Sequence, residues 1–469
     1  MSLHTRSSTE FLTRTDSPTS RPPSRVVIEN VQPEVDGGRF PIKRTVGEDV
    51  VVTADIHTDG HDVLAGVLRH RQVNGAAPSD QWEEAPLTEL GNDRWRGQFQ
   101  STQLGRYEYT LQAWIDEFAS WRRDLTKRVD AQQQDVHSEL LEGAEHVRKA
   151  AEWLRHIASV NRERSSEARA DADWLAARAD ALIRGEQAER VAVAFDPALA
   201  RLMGRHADRS GGQTYERVLT VTAERERARV GAWYEMFPRS AGTDPNRSAT
   251  LREAEARLPA IAAMGFDVLY LPPIHPIGRS FRKRPNNTLN AGPNDPGSPW
   301  AIGAKEGGHK SVHPDLGTLA DFDHFVAAAK NVGLEIALDI AFQCSPDHPY
   351  VREHPDWFRH RPDGTIKYAE NPPKKYQDIY PLDFECEDWR SLWEELQSVV
   401  VFWIGHGIRI FRVDNPHTKP FRLWEWLIRG VQAEYPEVIV FLSVVSRGPR
   451  GSGRFSFRWC RVALEESRG

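Results

Sequence analysis

The run Gly407–Pro420, G-I-R-I-F-R-V-D-N-P-H-T-K-P, sets an arginine and an aspartate two positions apart at the end of a β-branched, aromatic stretch. Pro416 cannot donate to a sheet ladder, so a strand must stop before it. Side chains alternate along a strand, which puts Arg412 and Asp414 on one face. A guanidinium that close pairs with the carboxylate in its ionised form. Anchored at the C-terminal end of a parallel strand, such an anion is equipped for nucleophilic or electrostatic work in an α/β barrel. The same two residues would also serve as a structural ion pair closing a strand, and the local pattern supports both readings.

The elements that must position this pair follow from about Ala228 onward. V-G-A-W-Y-E-M-F reads as a strand, Leu251 to Met264 as an amphipathic helix, and F-D-V-L-Y-L-P-P-I as a second strand. Asp321 to Val332 is a helix and L-E-I-A-L-D-I-A-F a third strand. Trp389 to Gly405 leads into the Gly407 strand, Pro420 to Tyr435 follows it, and V-I-V-F-L-S makes a fifth. Strands alternating with helices at this spacing imply a parallel sheet with right-handed crossovers, for which a closed barrel is the common home. Two long irregular insertions, Pro276 to Thr318 and Gln343 to Glu387, leave from strand C-termini, where loops of that length are usually functional.

Ahead of this unit the pattern changes twice. Residues 25–128 carry short alternating runs such as D-V-V-V-T-A-D-I and R-Y-E-Y-T-L-Q-A-W-I-D between turn residues, which predicts an immunoglobulin-like β-sandwich. Residues 129–227 turn to Ala, Glu, Arg and Leu, with Leu140, Leu141, Ala144, Val147, Ala151 and Leu154 at helical spacing, which predicts a helical hairpin or bundle. Residues 1–24 are Ser-, Thr-, Pro- and Arg-rich without the apolar stretch of a signal peptide, and are expected to be a disordered tail.

Composition narrows the function classes. A net charge of −6 over 469 residues gives no nucleic-acid footprint. No apolar run of about 18 residues is present to span a membrane. Three scattered cysteines, Cys344, Cys386 and Cys460, make neither a disulfide framework nor a zinc motif and suit a reducing cytoplasm. His309 and His313 in the first insertion have no third ligand at metal spacing, so neither a metal nor another cofactor is expected. Cys344 has no basic neighbour in sequence and is expected to be packing. Lys283, inside R-K-R, and Lys374-Lys375 would both pass for solvated charge runs.

Six longer runs then bear on one family: G-A-W-Y-E-M-F-P-R-S, Y-L-P-P-I-H-P-I-G, N-D-P-G-S-P-W-A-I-G, G-G-H-K-S-V-H-P-D-L-G-T, E-N-P-P-K-K-Y-Q-D-I-Y-P and F-R-V-D-N-P-H-T-K-P. Together they resemble the GlgE-type maltosyltransferases of the alpha-amylase superfamily, over about residues 25–443. The resemblance implies a multidomain chain: an N-terminal β-sandwich, a helical insert that forms a homodimer, and a (β/α)8 TIM barrel of alpha-amylase type. It implies a retaining enzyme that moves maltose from maltose 1-phosphate to an α-1,4-glucan. Asp414 would be the nucleophile, with Arg412 beside it. Lys283, Gln343, Asp378 and Asn415 would hold the donor, with Asn371, Lys374 and Tyr376 as neighbours, and Asp339 would support the sugar site.

The chain departs from that pattern in one place. The family's F-L-S-E-A-F places a general acid/base glutamate after the fifth strand, where this chain has Val444. Residues 444–469 are Arg-, Gly- and Ser-rich without period, and are expected to reflect a shifted reading frame or a false end. The catalytic unit, 228–443, then supplies five strands of a partial barrel, and impaired activity is expected because the acid/base is missing. Two alternatives follow: a non-catalytic glucan-binding or dimer-partner fragment, and an α-glucan hydrolase or branching enzyme, against which E-N-P-P-K-K-Y and the helical insert speak.

Overall fold

The computed structural model describes residues 24–73, 81–160, 165–284, 288, 291–292 and 295–442. The expected disordered tail (apart from Ser24) and the aberrant tail lie outside them.

Alternating burial builds the N-terminal unit. In the strand Asp49–His57, Val50, Val52, Ala54 and Ile56 point inward while their neighbours face out. This strand sits in a four-stranded sheet between Val27–Gln32 and Arg94–Gln100. A second sheet, centred on Gly105–Ile115, packs against it through Tyr109, Leu111 and Leu219.

Helices begin at Glu117, earlier than the expected boundary at 129, because the Asp116 carboxylate caps them by accepting from the Ala119 amide. Five helices follow, Glu117–Asp130, His137–Val160, Ser165–Ile183, Gln187–Ala194 and Pro197–Arg205. Leu140, Ala144, Val147, Ala151 and Leu154 form their buried stripe. Leu141 does not share it and stays 40% exposed, being one residue off the 3.6-residue period. The chain then returns to the sandwich. Gln213–Thr214 and Leu219–Glu224 both pair with Gly105–Ile115, and Leu219–Glu224 also pairs with Ile42–Thr45. Residues 213–224 thus fall outside the helical insert assigned to 129–227. Two short strands that complete a sheet laid down a hundred residues earlier have no local signature that separates them from loop.

The C-terminal unit is a five-stranded parallel sheet whose spatial order follows the chain: Trp233–Glu235, Val268–Leu271, Glu335–Ile340, Ile410–Val413 and Ile439–Leu442. In a flat sheet its first and fifth strands would lie about 19 Å apart, four spacings of about 4.8 Å. The rings of Trp233 and Phe441, on those two strands, stand 5.5 Å apart. The sheet therefore curls upon itself, and Val268, Ala337, Ile410 and Ile439 fill the concave side. That is the curvature of a barrel wall, a partial TIM barrel as expected. Leu319–Asn331, Trp389–Gly405 and Phe421–Glu434 cover the convex side, burying Phe325, Leu396, Trp403 and Leu427 against Leu338 and Phe411. The predicted helix Leu251–Met264 is broken into Leu251–Ala254, a 3-10 turn at Glu255–Arg257, and Leu258–Ala263. Pro259 causes this, since it has no amide proton and its ring crowds the carbonyl four residues back.

Arginines after the last sandwich strand join the two units. Arg225 donates to Glu335 at 2.6 Å and to the Glu437 carbonyl at 2.8 Å, and Arg227 meets Asp267 at 2.6 Å. All three acceptors lie at the N-terminal ends of barrel strands, leaving the opposite face open. Among the described residues no helix is long and apolar enough to cross a membrane.

Candidate active site

The C-terminal ends of the second, third and fourth barrel strands carry one hydrogen-bonded chain of side chains. The Tyr270 hydroxyl donates to Asp339 Oδ2, and Arg412 Nη1 reaches the same oxygen at 2.8 Å. Arg412 Nη1 also meets Asp414 Oδ1 at 2.8 Å, and Asn415 Nδ2 donates to Asp414 Oδ2 at 2.8 Å. Parallel register sets Asp339 beside Arg412. The Asp414 amide bonds the Ile340 carbonyl at 2.9 Å, so strand pairing continues up to the aspartate. Asn415 then takes a left-handed conformation, φ 44° and ψ 55°, which asparagine tolerates better than most residues. Both Asp414 oxygens are thereby held in fixed directions. Asp339 is wholly enclosed, and burial pushes its carboxyl up to about 7 despite its two donors.

Above this chain the two insertions wall a cleft of about 1330 Å³, larger than the roughly 300–1,000 Å³ of ordinary small-molecule pockets and roomy enough for an oligosaccharide. Asp414 and Asn415 line it together with Lys283, Gln343, Asn371, Tyr376 and Asp378. Seven of the ten residues expected from sequence therefore converge, and Arg412 and Asp339 lie beneath its floor. Lys374 is the exception. It stands exposed next to the turn of the hairpin that pairs Ala369–Asn371 with Lys374–Tyr376 and does not line the cleft.

Three residues unmarked by spacing also line the cleft: Arg239, Trp300 and Lys419. Arg239 follows the first strand and Lys419 closes the H-T-K-P run, so position after a strand end was the available signal. Among the described residues Lys283, 7% exposed, donates only to neutral groups, the Gln377 side-chain oxygen at 3.1 Å and the Lys375 carbonyl at 3.4 Å. Lys419, equally buried, also donates to carbonyls, and burial lowers its amine to about 8. Arg239 bonds the Gly297 carbonyl at 3.4 Å, and burial lowers its pKa. Among the described residues none of these three cations has a carboxylate within 4.0 Å. Asp378, 2% exposed, keeps one carboxylate oxygen without a partner, as does the indole nitrogen of Trp300. Burial raises the Asp378 carboxyl. The cleft thus presents unneutralised positive charge together with unpaired buried hydrogen-bonding atoms, which suits a polyhydroxylated ligand carrying an anion.

Behind the cleft the insertions interlock through histidines. His309 meets Cys344 and His348, not His313, so three groups able to bind a metal lie within 4.8 Å of one another, contrary to the expectation that no third ligand is near. Tertiary folding brings His348 from the other insertion, and Gly303, at φ 105°, and Gly308 leave the space for its ring. The hydrogen bonds fix the tautomers. The His309 Nε2–H donates to the Ala341 carbonyl at 3.1 Å, so its Nδ1 accepts from His348 Nε2–H, also at 3.1 Å. His348 Nδ1 accepts the Tyr350 amide at 3.0 Å. A metal on His348 Nε2 would need the proton moved to Nδ1, where an N–H already points. The donor set therefore does not fit a metal. It works as a neutral bracket, with burial lowering His309 to about 4 and His348 as well. Cys344 is fully enclosed, and burial raises its thiol.

A family model described as "Alpha-1,4-glucan:maltose-1-phosphate maltosyltransferase, domain N/S" matches residues 24–225. The protein of that enzyme name from Cereibacter sphaeroides is 44% identical over 424 residues, covering 90% of this chain and 68% of the relative. The chain belongs to the alpha-1,4-glucan:maltose-1-phosphate maltosyltransferase family. The family member from Myxococcus xanthus is 54% identical over 425 residues, 91% of this chain and 62% of its own length. That from Chlorobaculum tepidum is 47% identical over 423 residues, 90% and 60% respectively. The chain spans about three fifths of the length of these curated relatives. Among solved structures, an alpha-amylase from Lactobacillus plantarum is 29% identical and overlays 47% of this chain and 46% of its own, with a TM-score of 0.39.

Proposed function

We propose that the cleft binds maltose 1-phosphate and that Asp414 captures its maltosyl unit for transfer to the non-reducing end of an α-1,4-glucan, with net retention. The observation that carries this reading is the pair of cations Lys283 and Arg239, without carboxylate partners among the described residues, beside an aspartate whose two oxygens are held by Arg412 and Asn415. A phosphate supplies the missing negative charge. The Asp414 carboxylate attacks the anomeric carbon, the bond from that carbon to the phosphate oxygen breaks, and phosphate leaves with the electron pair. The acceptor's 4-hydroxyl then attacks the same carbon, the ester bond breaks with its electron pair returning to the Asp414 carboxylate, and the hydroxyl proton passes to water. The group expected to handle the protons falls where this chain has Val444, outside the described residues. Proton transfer ordinarily contributes about 10²–10⁴-fold, so capture is expected to outpace turnover.

Phosphate release from maltose 1-phosphate with maltohexaose present, lost in Asp414→Asn, is the test. Neither phosphate nor a maltosyl ester on Asp414 in intact mass spectra would end the proposal. Shortening of glucan without any phosphate requirement would point to a hydrolase. Phe441, 49% exposed on the edge strand, favours a second reading, a non-catalytic glucan-binding partner of a longer copy. Glucan binding without capture would select it. The proposal includes a homodimer through the helical unit, supported by Trp153, 55% exposed on the long helix, and checked by light scattering. It also includes a cytoplasmic location, supported by the free, buried Cys344 and Cys386.

A further inference from the structure

We propose that Lys419 is a positioning residue, its ammonium clamping the backbone carbonyls of Asp414 and Asn415 and so holding the turn that presents both side chains to the cleft. The inference rests on Asp414 being the capturing group.

Lys419 Nζ lies 3.2 Å from the Asp414 carbonyl oxygen and 3.3 Å from that of Asn415. These two carbonyls flank the left-handed peptide unit at Asn415, a conformation that a non-glycine residue keeps only when its surroundings impose it. The Asn415 carbonyl already accepts from the Thr418 hydroxyl at 2.8 Å and the Thr418 amide at 3.1 Å. Satisfying that oxygen is therefore not the reason for the lysine. Trp424 ties the next carbonyl, that of Pro416, at 3.0 Å, so the turn is braced from the helix side as well.

The location is otherwise a poor one for a cation. Lys419 is 7% exposed and precedes the 14-residue helix Phe421–Glu434, whose N-terminus is the positive end of its dipole. No carboxylate among the described residues is within ion-pair distance. A methionine would fill the same space without either cost. What lysine adds is a donor that reaches both carbonyls at once. Arg412 and Asn415 then hold the carboxylate while Lys419 holds the main chain beneath it. Lys419 also lines the cleft, so direct contact with the donor's phosphate is the rival role.

Lys419→Met in the full chain separates the two. A 2-deoxy-2-fluoro-maltosyl fluoride reports capture without an acid, because fluoride departs unprotonated as the Asp414–carbon bond forms. A misplacement of about 1 Å costs about 10²-fold. Positioning predicts capture slowed by about that factor, with maltose 1-phosphate affinity by calorimetry within about threefold of the parent. Propylammonium should restore capture to Lys419→Ala. Unchanged capture, or affinity lost in step with rate and no amine rescue, overturns the proposal. A crystal structure of Lys419→Met tests the clamp independently of any rate: Asn415 should leave the left-handed region, and an unmoved turn refutes the clamp. Failure of the parent chain to be labelled would count against the proposed function alone, and the crystallographic comparison would still decide Lys419.

Discussion

Replacing Asp339 by asparagine should stabilise the fold near neutral pH, although it removes an ion pair. Asp339 is 0% exposed, touches Tyr270 and Arg412, and keeps one oxygen unpartnered. Burial outweighs these contacts and moves its carboxyl from 3.8 to about 7. The folded state thus holds the proton more tightly than the unfolded chain does. This group favours folding fully below about pH 4, and its contribution is lost as pH rises to about 7. A gap of about three pH units, at about 1.4 kcal/mol each, sets a ceiling of about 4 kcal/mol. Asparagine keeps an acceptor for Tyr270 and Arg412 and removes the titration. Urea unfolding followed by tryptophan fluorescence, from pH 4 to 8.5, measures both proteins under matched conditions. The parent should lose a few kcal/mol relative to the variant between pH 4 and 7, and the difference should be flat above. A difference independent of pH would refute the burial argument. A variant less stable than the parent at pH 8 would do so too, since it would mean that the bond to Arg412 exceeds the desolvation cost.

Three further outcomes are expected. Lys283→Met should weaken maltose 1-phosphate at least tenfold and leave maltose affinity nearly unchanged, because the lost group is a cation without a carboxylate partner among the described residues; calorimetry with the two ligands checks this. Arg225→Ala removes donors to Glu335 and to the Glu437 carbonyl, so the sandwich and barrel should separate into two thermal transitions in calorimetry, with a loss of about 1–3 kcal/mol at their junction. Zinc added to the chain should not be retained by His309, Cys344 and His348 through gel filtration, and stoichiometric zinc lost on His348→Leu would show that the tautomer argument is wrong.

Much of the barrel unit was legible because its signals are local. Trp389–Gly405 begins and ends where the apolar period does, and Ile410–Val413 falls inside its β-branched run. The pairing of Arg412 with Asp414 follows from alternation on one strand. Other features had no local mark. The strand Leu219–Glu224 owes its identity to Ile42–Thr45 and Gly105–Ile115. Pro259 broke a helix whose hydrophobic period ran straight through it. Lys374 and Tyr376 share one motif, yet only Tyr376 reaches the cleft.

By itself the sequence determined the element types and the anion beside its guanidinium, since each depends on residues within a few positions of one another. Tertiary structure alone decided which charges remain unpaired. Lys283 and Lys419 lie 136 positions apart, and only the curl of the sheet and the two overhanging insertions enclose both without a carboxylate partner among the described residues. Burial and charge neutralisation depend on what packs around a group in space, and no spacing along the chain encodes that.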